Sequence, residues 1–198
     1  MQTIGKYEIL GELGTGATST VYLAVDPFSG HQVAIKLFDL KHLQNTNTAK
    51  VFRKLLMTEA SLAGKLSHPH IVKILDAALE DDVNYMVMEY VAGSTLEQYA
   101  EVDNLLPIST IASIAYKCCK ALEYAQHQGV IHRDIKPANI LYYGESDIKI
   151  SDFGAATLVG SQTTQVSGIG SPAYMSPEQV KEQKVSHQTD IYSLGVTL

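Results

Sequence analysis

Tryptophan is absent from the chain, and the only two cysteines, Cys118 and Cys119, are adjacent. Neighbouring cysteines rarely form a comfortable disulfide, which disfavours a stapled secreted fold; a reducing, cytoplasmic setting is expected. No stretch reaches the roughly 18 uninterrupted apolar residues of a membrane span. The opening MQTIGKYEIL lacks a basic region followed by an apolar run, so no signal peptide is expected. Positive charge is also scarce. Lys plus Arg is 15 against 21 for Asp plus Glu, a net charge of −6, which disfavours a broadly basic nucleic-acid binder. Repeats, low-complexity tracts and long charge blocks are missing too. Apolar material is not: at 45% of 198 residues it is enough for a packed core and excludes wholesale disorder. That length allows one domain, or two small lobes sharing a cleft.

The first part of the chain reads as strands with one helix. Tyr7, Ile9, Gly11 and Leu13 alternate, and so do Val21, Leu23 and Val25, with a small-residue turn between the two sets. Residues 26–30, DPFSG, read as a turn, and residues 33–38 as a third strand. The spacing predicts a helix over about 48–66, with Leu55, Leu62 and Leu66 on one face. Two more strands are predicted around 71–79 and 85–91. From Leu106 the pattern changes: Ile111, Ala115, Cys118, Leu122 and Ala125 follow helical spacing, and Gly129 is the expected stop. A hairpin of 140–142 and 148–151, turning through 144–147, follows. The lobe boundary is expected near Gly93.

Four places carry chemistry. In Gly14-Thr-Gly16-Ala-Thr-Ser19-Thr-Val21, small residues would let backbone N–H groups approach a phosphate, although a plain hairpin turn has the same look. Lys36 stands in the apolar strand Val33-Ala-Ile-Lys36-Leu-Phe, where a lysine must snorkel to water or meet an anion. Glu59 falls in the apolar stripe of the predicted helix and is a candidate partner for Lys36; the alternative puts it at the wet margin of that stripe. His132-Arg-Asp134-Ile-Lys136-Pro-Ala-Asn139 packs an acid, a base and an amide into one short loop. Asp134 could accept a hydroxyl proton, Lys136 could neutralise a phosphoryl oxygen, and Asn139 could bind a metal. Asp152-Phe-Gly154, at the end of the second hairpin strand, offers a hard oxygen ligand one hairpin away from Asn139.

The order of these pieces, together with Ser176-Pro-Glu178, resembles the catalytic domain of the eukaryotic-type (Hanks-type) serine/threonine protein kinases over about Tyr7 to Leu198, with bacterial relatives favoured. The resemblance implies an α+β bilobal fold. About 1–92 would be an N-lobe with an antiparallel sheet plus one helix, and about 93–198 a mainly helical, incomplete C-lobe. It implies ATP and Mg2+ as cofactors, with Asp134, Lys136 and Asn139 catalytic and Asn139 and Asp152 as metal ligands. The implied ATP-binding set is Leu13, Gly14, Gly16, Val21, Ala34, Lys36, Glu59, Met88, Glu89, Val91, Leu141 and Asp152. Lys36 would pair with Glu59, the purine would lie between Val21 and Ala34 on one side and Leu141 on the other, and 88–91 would be the hinge. Asp190 resembles the aspartate that braces the catalytic loop.

Lys136-Pro137 and Ser171 look like the serine/threonine subclass, so protein Ser or Thr hydroxyls are the expected acceptors. Arg133 before Asp134 resembles kinases controlled by activation-loop phosphorylation, with Thr163, Thr164 and Ser167 as candidates and self-association for autophosphorylation as a further expectation. Ser19 replaces the third glycine of the loop, and Thr95 and Ala138 argue against a preference for upstream arginines. The chain stops at Leu198 inside the helix bearing Asp190. Ile191, Tyr192, Leu194, Val196 and Leu198 are therefore expected to be uncovered, Glu178 to lack its usual arginine, and the chain to be marginally stable and poorly active. Besides a protein kinase, a small-molecule phosphotransferase and a truncated or inactive nucleotide-binding interaction module stand as alternatives.

Overall fold

The structure, a computed structural model, describes residues 2–16, 19–38, 57, 61, 64–79, 84–153, 157–158 and 171–198. The chain falls into two units, Met1–Gly64 with Lys73–Tyr90, and Lys65–Val72 with Val91–Leu198. Most of the helix expected over 48–66, with Leu55, Glu59 and Leu62, lies outside the described residues.

In the first unit the alternating segments become strands β1 (Thr3–Ile4), β2 (Tyr7–Thr15), β3 (Ser19–Val25), β4 (Gln32–Phe38), β5 (Ile74–Leu79) and β6 (Asn84–Glu89). They form one sheet in the order β1-β2-β3-β4-β6-β5, and every pairing is antiparallel. β1 was not legible from alternation. Successive side chains of a strand point to opposite faces, and here the two faces differ in role. Val33, Ile35 and Val87 join Ile4, Tyr7 and Ala24 in one buried cluster. Ala34 and Lys36, one residue out of step, belong to the opposite face, and the register adds Val21 opposite Lys36 and Met88 opposite Ala34. Each fully buried aliphatic side chain contributes about 1.5–3 kcal/mol, so the first face holds the sheet and leaves the second for other work.

Two strand ends differ from expectation. The fifth strand starts at Ile74, not 71, because the backbone of 70–72 is committed elsewhere. Val72 N–H donates to the Ile150 carbonyl at 2.9 Å, Ile150 N–H donates to the His70 carbonyl at 2.9 Å, and Ile71 makes an isolated parallel bridge to Ile150. The sixth strand ends at Glu89, short of Val91, whose carbonyl instead closes a tight turn with the N–H of Gly93 at 2.9 Å.

The second unit is built on helix α1 (Ile108–His127), which buries Ile114, Cys118, Ala121, Leu122 and Ala125. Gly129 ends it at φ 72, a left-handed conformation that glycine adopts without a Cβ penalty, and its N–H donates to the Gln126 carbonyl at 2.8 Å. The chain continues through β8 (Val130–Ile131) into a loop, a 3-10 turn (Pro137–Asn139), and the hairpin β9 (Ile140–Tyr143) and β10 (Asp147–Ile150). Asp147 pairs with Tyr143, so the hairpin turn is tighter than predicted and Ser151 lies outside the strand. β7 (Ser94–Thr95) adds to β9, and β11 (Thr157–Leu158) to β8. A short helix α2 (Pro177–Val180) and helix α3 (His187–Thr197) complete the unit. On α3, Leu194 is buried, against expectation, whereas Ile191, Tyr192, Val196 and Leu198 are exposed. Among the described residues no helix is long and apolar enough to cross a membrane. Cys118 and Cys119 are both free, and burial pushes the Cys118 thiol up to about 12.

Candidate functional site

The glycine-rich segment of the first unit is tighter than the sequence predicts. β2 runs on to Thr15, so Gly14 pairs with Val21 inside the ladder and Thr15 with Thr20. The turn closes where Gly16 N–H donates to the Ser19 carbonyl at 2.8 Å. Register shifts fall between Ile9 and Gly11 and between Glu12 and Gly14, bulges of the kind that re-aim backbone next to binding sites. A Cβ placed on Gly14 would meet nothing within 4 Å, so protein packing does not demand glycine there. Leu13 is exposed on the same strand, and Lys36 is half-buried on β4 with its Nζ 5.5 Å from the Phe38 ring centroid. Met88 and Glu89 end β6, and Glu89 Oε1 accepts from Lys73 N–H at 2.8 Å. The expected pairing of Lys36 with Glu59 falls outside the described residues.

In the second unit the loop after β8 brings three of the expected residues onto one carboxylate. Asp134 Oδ2 lies 2.9 Å from Lys136 Nζ and accepts from Asn139 Nδ2 at 3.0 Å. Asn139 Nδ2 also donates to the Asp134 carbonyl at 2.8 Å, and Ser171 N–H donates to Asp134 Oδ1 at 3.2 Å. Lys136 Nζ reaches Ser171 Oγ at 2.9 Å as well. Asn139 is buried, and the 3-10 turn beginning at Pro137, with its fixed φ, sets its direction. Asp152 leaves β10 at φ 62, a conformation uncommon for a non-glycine residue, and is exposed. Val91 and Leu141 are half-buried in the same unit. Thr163, Thr164, Ser167 and Gly154 lie outside the described residues.

The loop is braced from beneath. Asp190, at the start of α3 and buried, accepts from His132 N–H and Arg133 N–H, both at 2.8 Å, through its two oxygens. Burial pushes this carboxyl above its ordinary range, against the pull of His132 and Arg133. His132, fully buried, packs against the Phe153 ring, tilted 56° with centroids 4.5 Å apart. Its Nε2 meets the Ser151 carbonyl at 3.0 Å, and its Nδ1 accepts from Asp134 N–H at 3.2 Å. Sequence reasoning gave His132 no role. Gln179 was also missed: its Nε2 donates to the Arg133 carbonyl at 2.8 Å. The signal for it was present, since Ser176-Pro-Glu-Gln179 reads as a capping box, and the structure forms one. Glu178, expected to lack its usual arginine, finds a hydroxyl partner. Thr189 Oγ1 donates to it at 2.7 Å, and that bond is the main reason its carboxyl is lowered.

The first unit thus carries a tight glycine turn and a half-buried lysine, and the second a carboxylate fixed by lysine, asparagine and a backbone amide. The chain belongs to the protein kinase domain family, which matches residues 7–198. Among its relatives, a probable serine/threonine-protein kinase of Clostridium perfringens is 40% identical over 98% of this chain and 28% of its own length. The serine/threonine-protein kinase PrkC of Bacillus subtilis is 39% identical over 98% of this chain and 30% of its own. PknB of Mycobacterium leprae is 36% identical over 98% of this chain and 32% of its own. The chain thus spans less than a third of the length of these curated relatives.

Proposed function

We propose that this chain is the catalytic domain of a serine/threonine protein kinase that moves the γ-phosphoryl group of ATP to Ser or Thr hydroxyls of proteins. The observation that carries the reading is Asp134, held by Ser171 N–H, Lys136 and Asn139. A carboxylate fixed at both oxygens is positioned to orient an acceptor hydroxyl and take its proton. Lys136 offers its positive charge to a phosphoryl oxygen beside that carboxylate. Asn139 spends its Nδ2 on Asp134, which leaves Oδ1 as a ligand atom, and Asp152 adds a carboxylate; such oxygen donors suit magnesium. Magnesium, when bound, neutralises charge on the phosphates. In the first unit, Lys36 and the backbone around Gly14 and Gly16 would take the phosphates, with Leu13, Val21, Ala34, Met88 and Glu89 serving the base. Val91 and Leu141 of the second unit belong to the same proposed set.

Arg133 supports control by activation-loop phosphorylation at Thr163, Thr164 or Ser167. Its Nε is buried and makes no hydrogen bond among the described residues. Burial lowers the guanidinium pKa, opposed by Asp190, so an added phosphate would meet an under-satisfied cation. Self-association for that step is part of the proposal. Free cysteines support a reducing, cytoplasmic setting. The alternative of an inert nucleotide-binding module draws on no residue of the site, because Lys36, Asp134, Asn139 and Asp152 are all intact. The test is transfer of radiolabel from ATP to a generic protein substrate, with Asp134→Asn as control. Label on Ser and Thr that disappears in the variant supports the reading; no transfer by the parent chain, or label on tyrosine alone, sinks it.

A further inference from the structure

Arg133 is a non-glycine residue at φ 70, so the backbone entering Asp134 is held in a conformation that it would leave if released. The peptide unit joining Arg133 to Asp134 is tied at both ends. Its N–H, that of Asp134, donates to His132 Nδ1 at 3.2 Å, and its carbonyl, that of Arg133, accepts from Gln179 Nε2 at 2.8 Å. The first tie comes from within the loop, two residues away. The second comes from α2, 46 residues on. Gln179 is itself fixed, because its Oε1 accepts from Ser176 N–H at 3.1 Å in the capping box and Ser176 is fully buried.

We propose that Gln179 is a positioning residue for Asp134, its carboxamide locking the Arg133–Asp134 peptide plane to the segment that carries Ser171. The role rests on the reading of Asp134 as the proton acceptor. Near neutral pH a carboxamide alone meets both demands, since one atom must accept from the cap and the other must donate to a carbonyl. Glutamate would satisfy the cap and fail the carbonyl, placing a second acceptor oxygen against it. Without the Gln179 donor, the Arg133 carbonyl loses its partner and the peptide itself is held only through its N–H by the imidazole, while Asp190 and Asn139 bond the flanking groups; the Asp134 side chain would then sit less firmly against Ser171 and Lys136. A displacement of about 1 Å of a reacting group can cost up to about a hundredfold in rate.

Gln179→Glu separates the two roles, and Gln179→Ala removes both. We expect Gln179→Glu to keep the melting temperature, to lower kcat by about tenfold and to leave KM for ATP within about twofold, since the nucleotide is held by other residues. As pH falls from about 8 to 5.5, the ratio of its kcat to that of the parent should rise, because the introduced carboxyl, once protonated, can donate to the Arg133 carbonyl. Gln179→Ala should lose kcat with no such recovery. Amide hydrogen exchange at Asp134 provides a readout without catalysis and should be about tenfold faster in both variants, with the amides of α1 unchanged. Parent-like kcat and exchange in Gln179→Glu, or a loss that pH does not relieve, would overturn the assignment. A parent chain that transfers no phosphate defeats the kinase reading instead, and the exchange data then decide the role of Gln179.

Discussion

Asn139 meets Asp134 twice: its Nδ2 donates to the side chain at 3.0 Å and to the main-chain carbonyl at 2.8 Å. One amide thus fixes both the rotamer and the backbone of the residue assigned as proton acceptor. Asn139→Ala would release both at once. It is expected to lower kcat by at least about a hundredfold, counting the lost positioning and the loss of the proposed metal ligand. Steady-state kinetics across a magnesium titration checks this: saturating magnesium that restores full activity would contradict it.

Asp134→Asn keeps the shape of the site and its contact with Ser171 N–H but removes the proposed proton acceptor. Transfer should fall by about 10²–10⁴-fold while nucleotide affinity stays within a few fold. Calorimetry with ATP and magnesium, beside the transfer assay, separates the two effects.

Lys36→Met keeps length and apolar bulk on β4 and deletes one charge. ATP affinity should drop by about tenfold or more, and transfer should be nearly abolished, with little change in the melting temperature because the buried cluster lies on the other face of the sheet. Unaltered ATP binding would remove Lys36 from the proposed phosphate site.

Asp190→Ala leaves two N–H donors, of His132 and Arg133, without their acceptor in a buried place. An unsatisfied buried donor costs about 1–3 kcal/mol, so the variant should lose several degrees of melting temperature along with its activity.

The pH dependence of stability has a sign that His68 sets. The ring stacks on Tyr124 with centroids 5.2 Å apart, and its Nδ1 accepts from His70 N–H at 3.1 Å, which requires a bare nitrogen. Burial lowers its pKa below the ordinary 6.5, helped by His70 and by Lys149. A lowered folded value means that the unfolded chain takes the proton first as pH falls. The stabilising contribution is therefore complete above about 6.5 and fades as pH falls through the folded value. Melting temperatures recorded from pH 7.5 to 5 should fall more steeply for the parent than for His68→Asn, which offers an untitratable acceptor in the same place. Parallel curves would exclude His68.

What was legible in the sequence was local. Asp134, Lys136 and Asn139 sit on one short loop, Gly129 marks a helix stop by its own conformational freedom, and alternation marked β2 and β3 as strands. What was not legible depends on distant partners. The Ser171 amide reaches Asp134 across 37 residues and Gln179 reaches Arg133 across 46. The start of β5 moved because backbone groups of 70–72 bond to 150 and not to the sheet. Ile114 and Ala121 widened the expected stripe of α1 because that helix packs against β8 and β10 as well as α3, so one face was not enough.

The short excursion Lys65–Val72 belongs with the second unit although the residues on both sides of it belong with the first. The polypeptide therefore passes between units at 64–65, 72–73 and 90–91, and no single scission frees either one intact. A fragment starting at Val91 would lack the backbone that pairs with Ile150, leaving β10 with an open edge beside Ser151 and Asp152.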